Sequence, residues 1–175
     1  MPSARQGATS HTSHKAAASR SVSCMVITCS DTRTPDNDTS GALMMSALKG
    51  RGHTIASYHL VKDDPSGIRK LIKQGAKDRH VQAILVNGGT GISRRDSTFE
   101  AIDGLLEKRL DGFGEIFRAL SYQDIGSAAI MSRATAGLYK NTIIISIPGS
   151  EKAVLLALDK LILNELGHMA SELTK

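Results

Sequence analysis

The sequence predicts a single α/β domain in which a mainly parallel sheet carries helices on both faces, a three-layer α/β/α arrangement. Short β-branched runs alternate with longer segments of helical periodicity, as in folds built from successive strand and helix units. The 175 residues are enough to form one hydrophobic core. A glycine-rich turn follows the clearest strand, and ligands of such sheets bind beyond the carboxyl ends of the strands.

The first half of the chain contains three predicted strands and two predicted helices. In chain order these are the strand Ser23–Cys29, the helix Thr39–Arg51, the strand His53–Lys62, the helix Pro65–Arg79 and the strand Val81–Asn87. The first helix follows a polar loop, Ser30–Asp38, and is expected to end at Gly52. The second helix begins with an N-cap aspartate, Asp64, followed by a proline in the first turn.

The middle of the chain is harder to assign. Ser97 and Glu100 have the spacing of a capping box, which predicts a helix reaching about Leu110. The next two segments, 112–121 and 126–133, fit neither the helical nor the strand period.

The last part of the chain is clear again. Thr142–Ile147 is a β-branched run typical of a buried strand, and a long amphipathic helix is predicted from Ser150 onward. The predicted domain therefore covers residues 23–175.

The first 22 residues differ from the rest in composition. They contain three basic residues and no acid, and so supply three of the five net positive charges, whereas the remaining chain has 19 basic and 17 acidic residues. Such a polar segment cannot fold alone and is predicted to be a disordered tail. Because the body is nearly neutral and only 3% of residues are aromatic, we expect no nucleic-acid partner.

Several features bear on the cellular compartment. No apolar run approaches the length of a membrane span, so no membrane partner is expected. Cys24 and Cys29 form neither a disulfide framework nor a CxxC pair, which is typical of a reducing compartment. These observations predict a cytoplasmic protein. An acid-free tail rich in serine, alanine and arginine also fits an organellar transit peptide, and this alternative stays open.

The turn Asn87–Gly91 has the composition of a phosphate-binding loop. Its glycines allow positive φ and bring backbone N–H groups close to an anion, while a following helix adds the positive end of its dipole. Arg94 and Arg95 supply further charge for phosphate or pyrophosphate. The pattern is neither a Walker loop nor a dinucleotide fingerprint. A tight strand-to-helix connection would explain the glycines without any ligand.

Two aspartates are candidates for magnesium binding beside this loop. Asp96 lies near the start of the following helix, and Asp63 follows the preceding strand, so neighbouring parallel strands would bring both carboxylates to one edge of the sheet. Mg²⁺ binds through one or two carboxylates together with phosphate oxygens. Alternatively, Asp96 and either Asp63 or Asp64 only cap helices.

Five ordered motifs together resemble a known family, the molybdopterin adenylyltransferases of the MogA/MoaB type, which are related to the G domains of gephyrin-like proteins. The resemblance spans about Ser23 to Leu166 and is closest to the MoaB branch. Its motifs are Asn87-Gly88-Gly89-Thr90-Gly91, Arg94-Arg95-Asp96, Gly112-Phe113-Gly114-Glu115, Ser132-Arg133 and Pro148-Gly149-Ser150.

The resemblance implies a fold like that of the molybdenum cofactor biosynthesis proteins and Mg²⁺-dependent transfer of an adenylyl group from ATP to molybdopterin. It assigns catalysis and metal binding to Asp63 and Asp96. It assigns ligand binding to the glycine loop, to Arg95 beside it and to other pocket segments. These residues are Ser30, Asp31, Asn87, Gly88, Gly89, Thr90, Gly91, Arg95, Glu115, Ser132, Pro148, Gly149 and Ser150. A molybdenum-insertion protein is a candidate partner.

The chain departs from the family pattern at two positions. Asn87 stands where threonine is common, and Glu151 stands where many members have a proline directly after the Pro-Gly-x motif. The stretch 112–137 resembles the MoaB branch, in which some members do not catalyse adenylylation. A non-catalytic molybdopterin-binding or scaffold protein is therefore the main alternative, and a different nucleotide-processing enzyme on the same fold is a weaker one. The retained triplet Arg94-Arg95-Asp96 favours an active site.

The ambiguous segment 113–131 carries more apolar residues than one face of a short helix needs, and it is a candidate subunit contact. The resemblance also implies assembly, so a homo-oligomer is predicted, with a hexamer favoured over a trimer. The same residues could instead complete the core of a monomer.

Overall fold

The computed structural model describes residues 20–175. A six-stranded mixed sheet of order β2-β1-β3-β6-β5-β4 forms its middle layer. The strands are β1 (Ser23–Cys29), β2 (Thr54–Val61), β3 (Ala83–Asn87), β4 (Lys108–Arg109), β5 (Thr135–Tyr139) and β6 (Thr142–Ile147). The helices are α1 (Thr39–Gly50), α2 (Pro65–Gly75), α3 (Thr98–Asp103), α4 (Asp111–Ile125), α5 (Glu151–Ala157) and α6 (Leu163–Glu172).

The strands alternate their side chains between two cores, one on each face of the sheet. Cys24 and Val26 of β1 face the core formed with α1, α4 and the C-terminal helices, whereas Met25 and Ile27 face the core formed with α2 and α3. β3 and β6 divide their residues in the same way. The predicted three-layer α/β/α fold is therefore confirmed, with a sheet buried on both faces.

Four strands are parallel, so their carboxyl ends lie at the same edge of the sheet. β1 pairs in parallel with β2 and β3, and β3 pairs in parallel with β6. The other two strands are antiparallel, since β5 pairs with β6 and β4 with β5. The sequence predicted neither β4 nor β5, because they are short and have no strong alternation.

The helix predicted to reach Leu110 ends at Asp103 instead. The N–H of Glu107 bonds the carbonyl of Leu138 at 2.8 Å and that of Leu110 bonds Ala136 at 2.8 Å, so pairing with β5 ends the helix. Helix α2 is also shorter than predicted and ends at Gly75.

The predicted capping box of α3 was wrong. Ser97 occupies the N-cap position, but its side chain makes no capping hydrogen bond. Its hydroxyl donates to Asp63 Oδ1 at 2.9 Å, while the Glu100 carboxylate pairs with Arg133. Both side chains are thus used in tertiary contacts, which a local sequence pattern does not reveal.

The two ambiguous segments form α4 and a 3₁₀ helix, Gly126–Met131. Within them Phe117 is buried in the core, while Ile116, Ile125, Ile130 and Met131 are exposed. The apolar residues of the segment therefore serve the core only in part.

The predicted C-terminal helix is present from Glu151 to Glu172 and includes one π-helical turn, Leu158–Ile162. The Ser150 hydroxyl caps its start by accepting the N–H of Ala153 at 3.2 Å.

Most of the predicted tail, residues 1–19, lies outside the described residues. The remaining three contact the body: Val22 is buried, and its N–H donates to His53 Nδ1 at 3.1 Å. Among the described residues, no helix combines the length and hydrophobicity needed to span a bilayer.

Candidate functional site

A pocket of about 430 Å³ opens at the carboxyl edge of the parallel strands. It is lined by residues 28–30, 87–91 and 148–150, which lie at or just after the carboxyl ends of β1, β3 and β6, and by Arg33, Asp96, Ala128, Met131 and Ser132. Eleven of the predicted site residues lie in this lining, and they are Ser30, Asn87, Gly88, Gly89, Thr90, Gly91, Asp96, Ser132, Pro148, Gly149 and Ser150.

The glycine loop is packed so closely that side chains would not fit. Gly88 and Gly89 have φ of +97° and +63°, which favours glycine. A Cβ on Gly88 would lie 2.2 Å from the Cys29 carbonyl oxygen, and one on Gly89 would lie 2.1 Å from Thr98 Oγ1. The loop conformation therefore depends on these glycines.

The amides of this loop are available to an anion. Within residues 20–175 we find no acceptor for the backbone N–H groups of Gly89, Thr90 and Gly91, whereas the N–H of Gly88 bonds the Ile147 carbonyl at 3.1 Å. Consecutive N–H groups without protein acceptors, in a loop of glycines, are an arrangement that binds phosphate. A tight connection alone would not require them to line a pocket.

Both candidate aspartates border the loop. A Cβ on Gly89 would lie 2.6 Å from Asp63 Oδ2, and one on Gly91 would lie 2.5 Å from Asp96 Oδ2. They do not come from neighbouring strands as expected, because β1 separates β2 from β3. The carboxyl edge brings them to the loop nevertheless.

The two carboxylates have different surroundings. Asp63 accepts the hydroxyls of Ser97 and Thr98 at 2.9 and 3.0 Å, and it lies outside the pocket lining. Asp96 lies in the lining and accepts the N–H of Ser93 at 3.0 Å. Neither is a helix N-cap, since Asp64 caps α2 and Ser97 occupies the N-cap position of α3.

Three other predicted site residues, Asp31, Arg95 and Glu115, are not part of the pocket lining. Asp31 Oδ1 accepts the N–H of Asp63 at 3.3 Å, and its Oδ2 lies 4.0 Å from a guanidinium nitrogen of the exposed Arg95. Glu115 is exposed on α4 and does not line the pocket.

Arg133 holds the glycine loop from outside and was missing from the predicted site. Its Nε donates to the Thr90 carbonyl at 2.8 Å, and Nη2 donates to the Gly91 carbonyl. The guanidinium also pairs with Glu100 and lies 4.8 Å from the centroid of the Phe99 ring. Because a peptide unit is planar, fixing these carbonyls also fixes the direction of the N–H groups that follow them.

Arg33 holds the opposite wall and was also missed. It pairs with Asp38 at 2.9 Å and donates to the Gly149 carbonyl at 3.0 Å. Ser40 donates to the same carbonyl at 2.8 Å. Both arginines act on backbone carbonyls far away in sequence, so no local spacing could have revealed them.

Asp38 is almost fully buried and is the centre of a hydrogen-bond network. Burial alone would raise the pKa of its carboxyl, but hydrogen bonds from Thr28, Tyr58, Gly41 and Arg33 outweigh burial and lower the pKa. Burial, together with the neighbouring Asp38, raises the pKa of Tyr58 to about 12. The carboxylate is therefore ionised and fixed in place near neutral pH.

Asn87 forms part of the pocket floor. Its side-chain nitrogen donates to Thr28 Oγ1 at 2.9 Å, and its Oδ1 is buried without a partner among the described residues. The residue is fully buried at the end of β3.

Cys29 lines the pocket but is not a candidate nucleophile, because burial raises the pKa of its thiol to about 12. The described part of the chain also contains no group of three or more His, Cys, Asp or Glu residues that could hold a metal.

Comparison with known proteins agrees with this geometry. Residues 25–168 match the MoCF_biosynth family, described as "Probable molybdopterin binding domain". The matched region includes every residue of the pocket lining.

The chain belongs to the MoCF_biosynth family. A Bacillus subtilis relative, "Molybdenum cofactor biosynthesis protein B", is 54% identical over 163 residues, which cover 93% of this chain and 96% of the relative. A Bacillus anthracis protein of the same name is 49% identical, with the same coverage of both chains. Within the MoCF_biosynth family, the chain therefore falls in the MoaB-type branch.

Solved structures of similar proteins have the same fold. A "Molybdenum cofactor biosynthesis protein B" is 48% identical, has a TM-score of 0.86 and is matched over 89% of this chain and 97% of its own. The "tungsten cofactor synthesizing protein MoaB from Pyrococcus furiosus" is 33% identical, has a TM-score of 0.80 and is matched over 89% and 99%.

Proposed function

We propose that this protein acts in molybdenum cofactor biosynthesis by transferring the adenylyl group of ATP to molybdopterin, with Mg²⁺ as cofactor. The products are adenylylated molybdopterin and pyrophosphate. The observation that carries the proposal is the glycine loop: its N–H groups at residues 89–91 have no acceptor within residues 20–175, two carboxylates border it, and Arg133 holds it.

The chemistry needs alignment rather than a protein nucleophile. A phosphate oxygen of molybdopterin forms a bond to the α-phosphorus of ATP, and the bond from that phosphorus to pyrophosphate breaks. The N–H groups of Gly89–Gly91 hold phosphate oxygens and stabilise the charge that develops on them. The raised thiol pKa of Cys29 agrees with a reaction that has no covalent enzyme intermediate.

The two aspartates fit a magnesium ion that is shared with the substrate. Mg²⁺ usually keeps few protein ligands, and the rest are phosphate oxygens and water. Asp96, in the lining, and Asp63, beside Gly89, would supply the protein oxygens. When bound, the ion neutralises charge on the transferred phosphate and on pyrophosphate.

One observation favours the non-catalytic alternative. The carboxylate of Asp63 already accepts hydrogen bonds from Ser97 and Thr98, so it has a structural use at the start of α3. A scaffold protein that binds molybdopterin would keep this contact and would not need magnesium.

We also propose a cytoplasmic homo-oligomer, hexameric rather than trimeric, with a molybdenum-insertion protein as a further partner. Ile130 and Met131 are 83% and 52% exposed, and Ile116 is also exposed. Burial of these side chains between copies would remove apolar surface from water. Light scattering should give a mass of several chains, and a mass near 18.6 kDa would contradict assembly.

The test of function is pyrophosphate release from ATP when molybdopterin and Mg²⁺ are supplied. Wild-type protein should release it only with both substrates present. Asp96→Asn should slow release about 100-fold, as expected for loss of electrostatic stabilisation. Asp159→Asn, an exposed aspartate outside the pocket, is the matched control and should keep wild-type rates. Binding of molybdopterin without any release would favour the scaffold.

A further inference from the structure

The sheet has an open edge at β2. The strand is eight residues long, and within residues 20–175 it pairs only with β1. The Val61 carbonyl accepts the N–H of Ser30 at 2.9 Å, so the backbone groups of Val61 point toward β1. Because these directions alternate along a strand, the N–H and C=O groups of Tyr58 and Leu60 point to the open edge. No loop or side chain of the described residues bonds them.

A groove follows this edge on the face of the sheet that α2 covers. It has a volume of about 500 Å³ and lies between β2 and α2, where Val61 and Leu71 supply apolar surface. A second hollow of about 470 Å³ runs along the exposed side of α2 and shares Lys70 and Gln74 with the groove. The two therefore form one continuous surface, the β2–α2 surface. It contains no residue of the glycine-loop pocket lining.

The β2–α2 surface carries positive charge that the described part of the chain does not neutralise. Its basic residues are all exposed, and they are Lys62, Arg69, Lys70, Lys73 and Lys77. Within residues 20–175 none of them forms an ion pair at 4 Å or less. One acid, Asp64, lies in the same lining, but its carboxylate already accepts the N–H groups of Ser66 and Gly67. The surface therefore suits a partner with several negative charges.

The open backbone groups and the charge together favour an extended acidic segment. A chain that adds to the edge of a sheet bonds the free N–H and C=O groups of the edge strand, and its alternate side chains point to one face. On the face covered by α2 these side chains would lie beside Lys70 and Lys73, so carboxylates are favoured there. On the other face, where Tyr58 packs against the core formed with α1, apolar side chains are favoured.

The same charges disfavour two other occupants of this edge. The first 22 residues of the chain contain three basic residues and no acid, so they would be repelled. A second copy paired through its own β2 would bring two equal sets of basic residues together, which is destabilising.

We propose that the β2–α2 surface docks a partner protein through an extended segment in which acidic and apolar residues alternate, added as a further strand beside β2. The backbone of this segment bonds Tyr58 and Leu60, and its carboxylates meet the basic residues of α2. Because the surface is separate from the glycine-loop pocket, the inference does not depend on the proposed reaction.

The probe is a short capped peptide of alternating glutamate and valine, labelled with fluorescein, and its binding is measured by fluorescence anisotropy. Wild type should bind it saturably, and more weakly as the salt concentration rises. Lys70→Glu should weaken binding about tenfold, because attraction of the nearest carboxylates becomes repulsion. Lys108→Glu is the matched control, since Lys108 is exposed on β4 at the opposite edge of the sheet and the net charge changes equally. It should bind like wild type.

A second pair of variants tests the backbone contact. Leu60→Pro removes an N–H that faces the open edge, where proline is tolerated, and should weaken peptide binding about fivefold. Leu60→Ala shortens the same side chain but keeps the N–H, so it should retain most of the affinity. The melting temperature of each variant is measured alongside.

Several outcomes would overturn the proposal. These are no saturable peptide binding by wild type, equal affinities for Lys70→Glu and Lys108→Glu, or equal affinities for Leu60→Pro and Leu60→Ala. Tighter, Lys70-dependent binding of a single-stranded DNA oligonucleotide would assign the surface to nucleic acid instead. Pyrophosphate release by Lys70→Glu should match wild type, since Lys70 lies outside the pocket lining. A parallel loss of release would place Lys70 in the reaction rather than in docking.

Discussion

The two walls of the pocket are held by the same device in different surroundings. On one wall Arg133 donates to the carbonyls of Thr90 and Gly91 and pairs with Glu100, whose side chain is 56% exposed. On the other wall Arg33 donates to the Gly149 carbonyl and pairs with Asp38, whose side chain is 1% exposed.

Because the two ion pairs differ in exposure, they are expected to have different roles. An exposed pair contributes little to stability, so Arg133 acts mainly by fixing the loop that binds the anion. A buried carboxylate with several donors cannot lose its charge or its partners without a large cost, so Asp38 acts mainly on the fold. We therefore expect mutations on the glycine wall to change ligand affinity and those on the Asp38 wall to change stability.

The largest effect is expected for the glycine loop itself. Gly89→Val should abolish pyrophosphate binding, because a β-branched residue resists positive φ and its Cβ would overlap Thr98 and Asp63. Calorimetric titration measures the affinity. Gly112→Val is the control, because Gly112 is exposed and a Cβ there meets no atom within 4 Å. Unchanged binding by Gly89→Val would mean that the loop is only a connector.

The next largest effect should be on stability at the buried wall. Asp38→Asn should lower the free energy of unfolding by about 3 kcal/mol, because it leaves the Arg33 guanidinium without a charged partner. The matched change on the other wall, Glu100→Gln, should cost less than about 1 kcal/mol, since that carboxylate is largely solvated. Urea unfolding measures both, and equal losses would remove the contrast between the walls.

Arg133 should show a smaller effect, and on binding rather than on folding. Arg133→Gln should weaken pyrophosphate binding about tenfold, because one amide cannot hold both carbonyls and Glu100. Arg133→Lys should recover part of the affinity through its charge. The melting temperature of Arg133→Gln should stay close to that of wild type. A large drop would mean that Arg133 mainly stabilises the fold.

The smallest effect is the pH dependence of stability. Because the pKa of Asp38 is lowered in the folded state, its contribution is complete above the ordinary carboxyl value of 3.8 and is lost as pH falls through the folded value. Melting temperatures should therefore fall more steeply below about pH 4 in wild type than in Asp38→Asn, in which the residue no longer titrates. Parallel curves for the two proteins would contradict the assigned role of Asp38.

The sequence predicted the central layer and the loops that follow it. β1, β3 and β6 are buried on both faces, so their continuous apolar runs stand out, and the composition of Asn87–Gly91 predicted a loop conformation with positive φ. Both features are local, and local features can be read from a sequence.

The parts that could not be predicted depend on contacts between distant residues. β4 is only two residues long and exists through pairing with β5. Arg33 reaches Gly149 and Arg133 reaches Thr90, across 116 and 43 positions respectively. The Ser97 hydroxyl bonds Asp63 rather than its own helix. In each case the partner is set by the tertiary structure, and the local sequence does not show which partner a residue will have.

The most direct test of the proposed reaction follows the α-phosphate of ATP. Wild-type protein is incubated with ATP labelled at the α-phosphate, molybdopterin and Mg²⁺, and the products are separated. We predict that the label appears in adenylylated molybdopterin in step with pyrophosphate, and that Asp96→Asn slows both together. Label that stays in ATP, or appears only as AMP, while molybdopterin remains bound and unmodified would contradict adenylyl transfer.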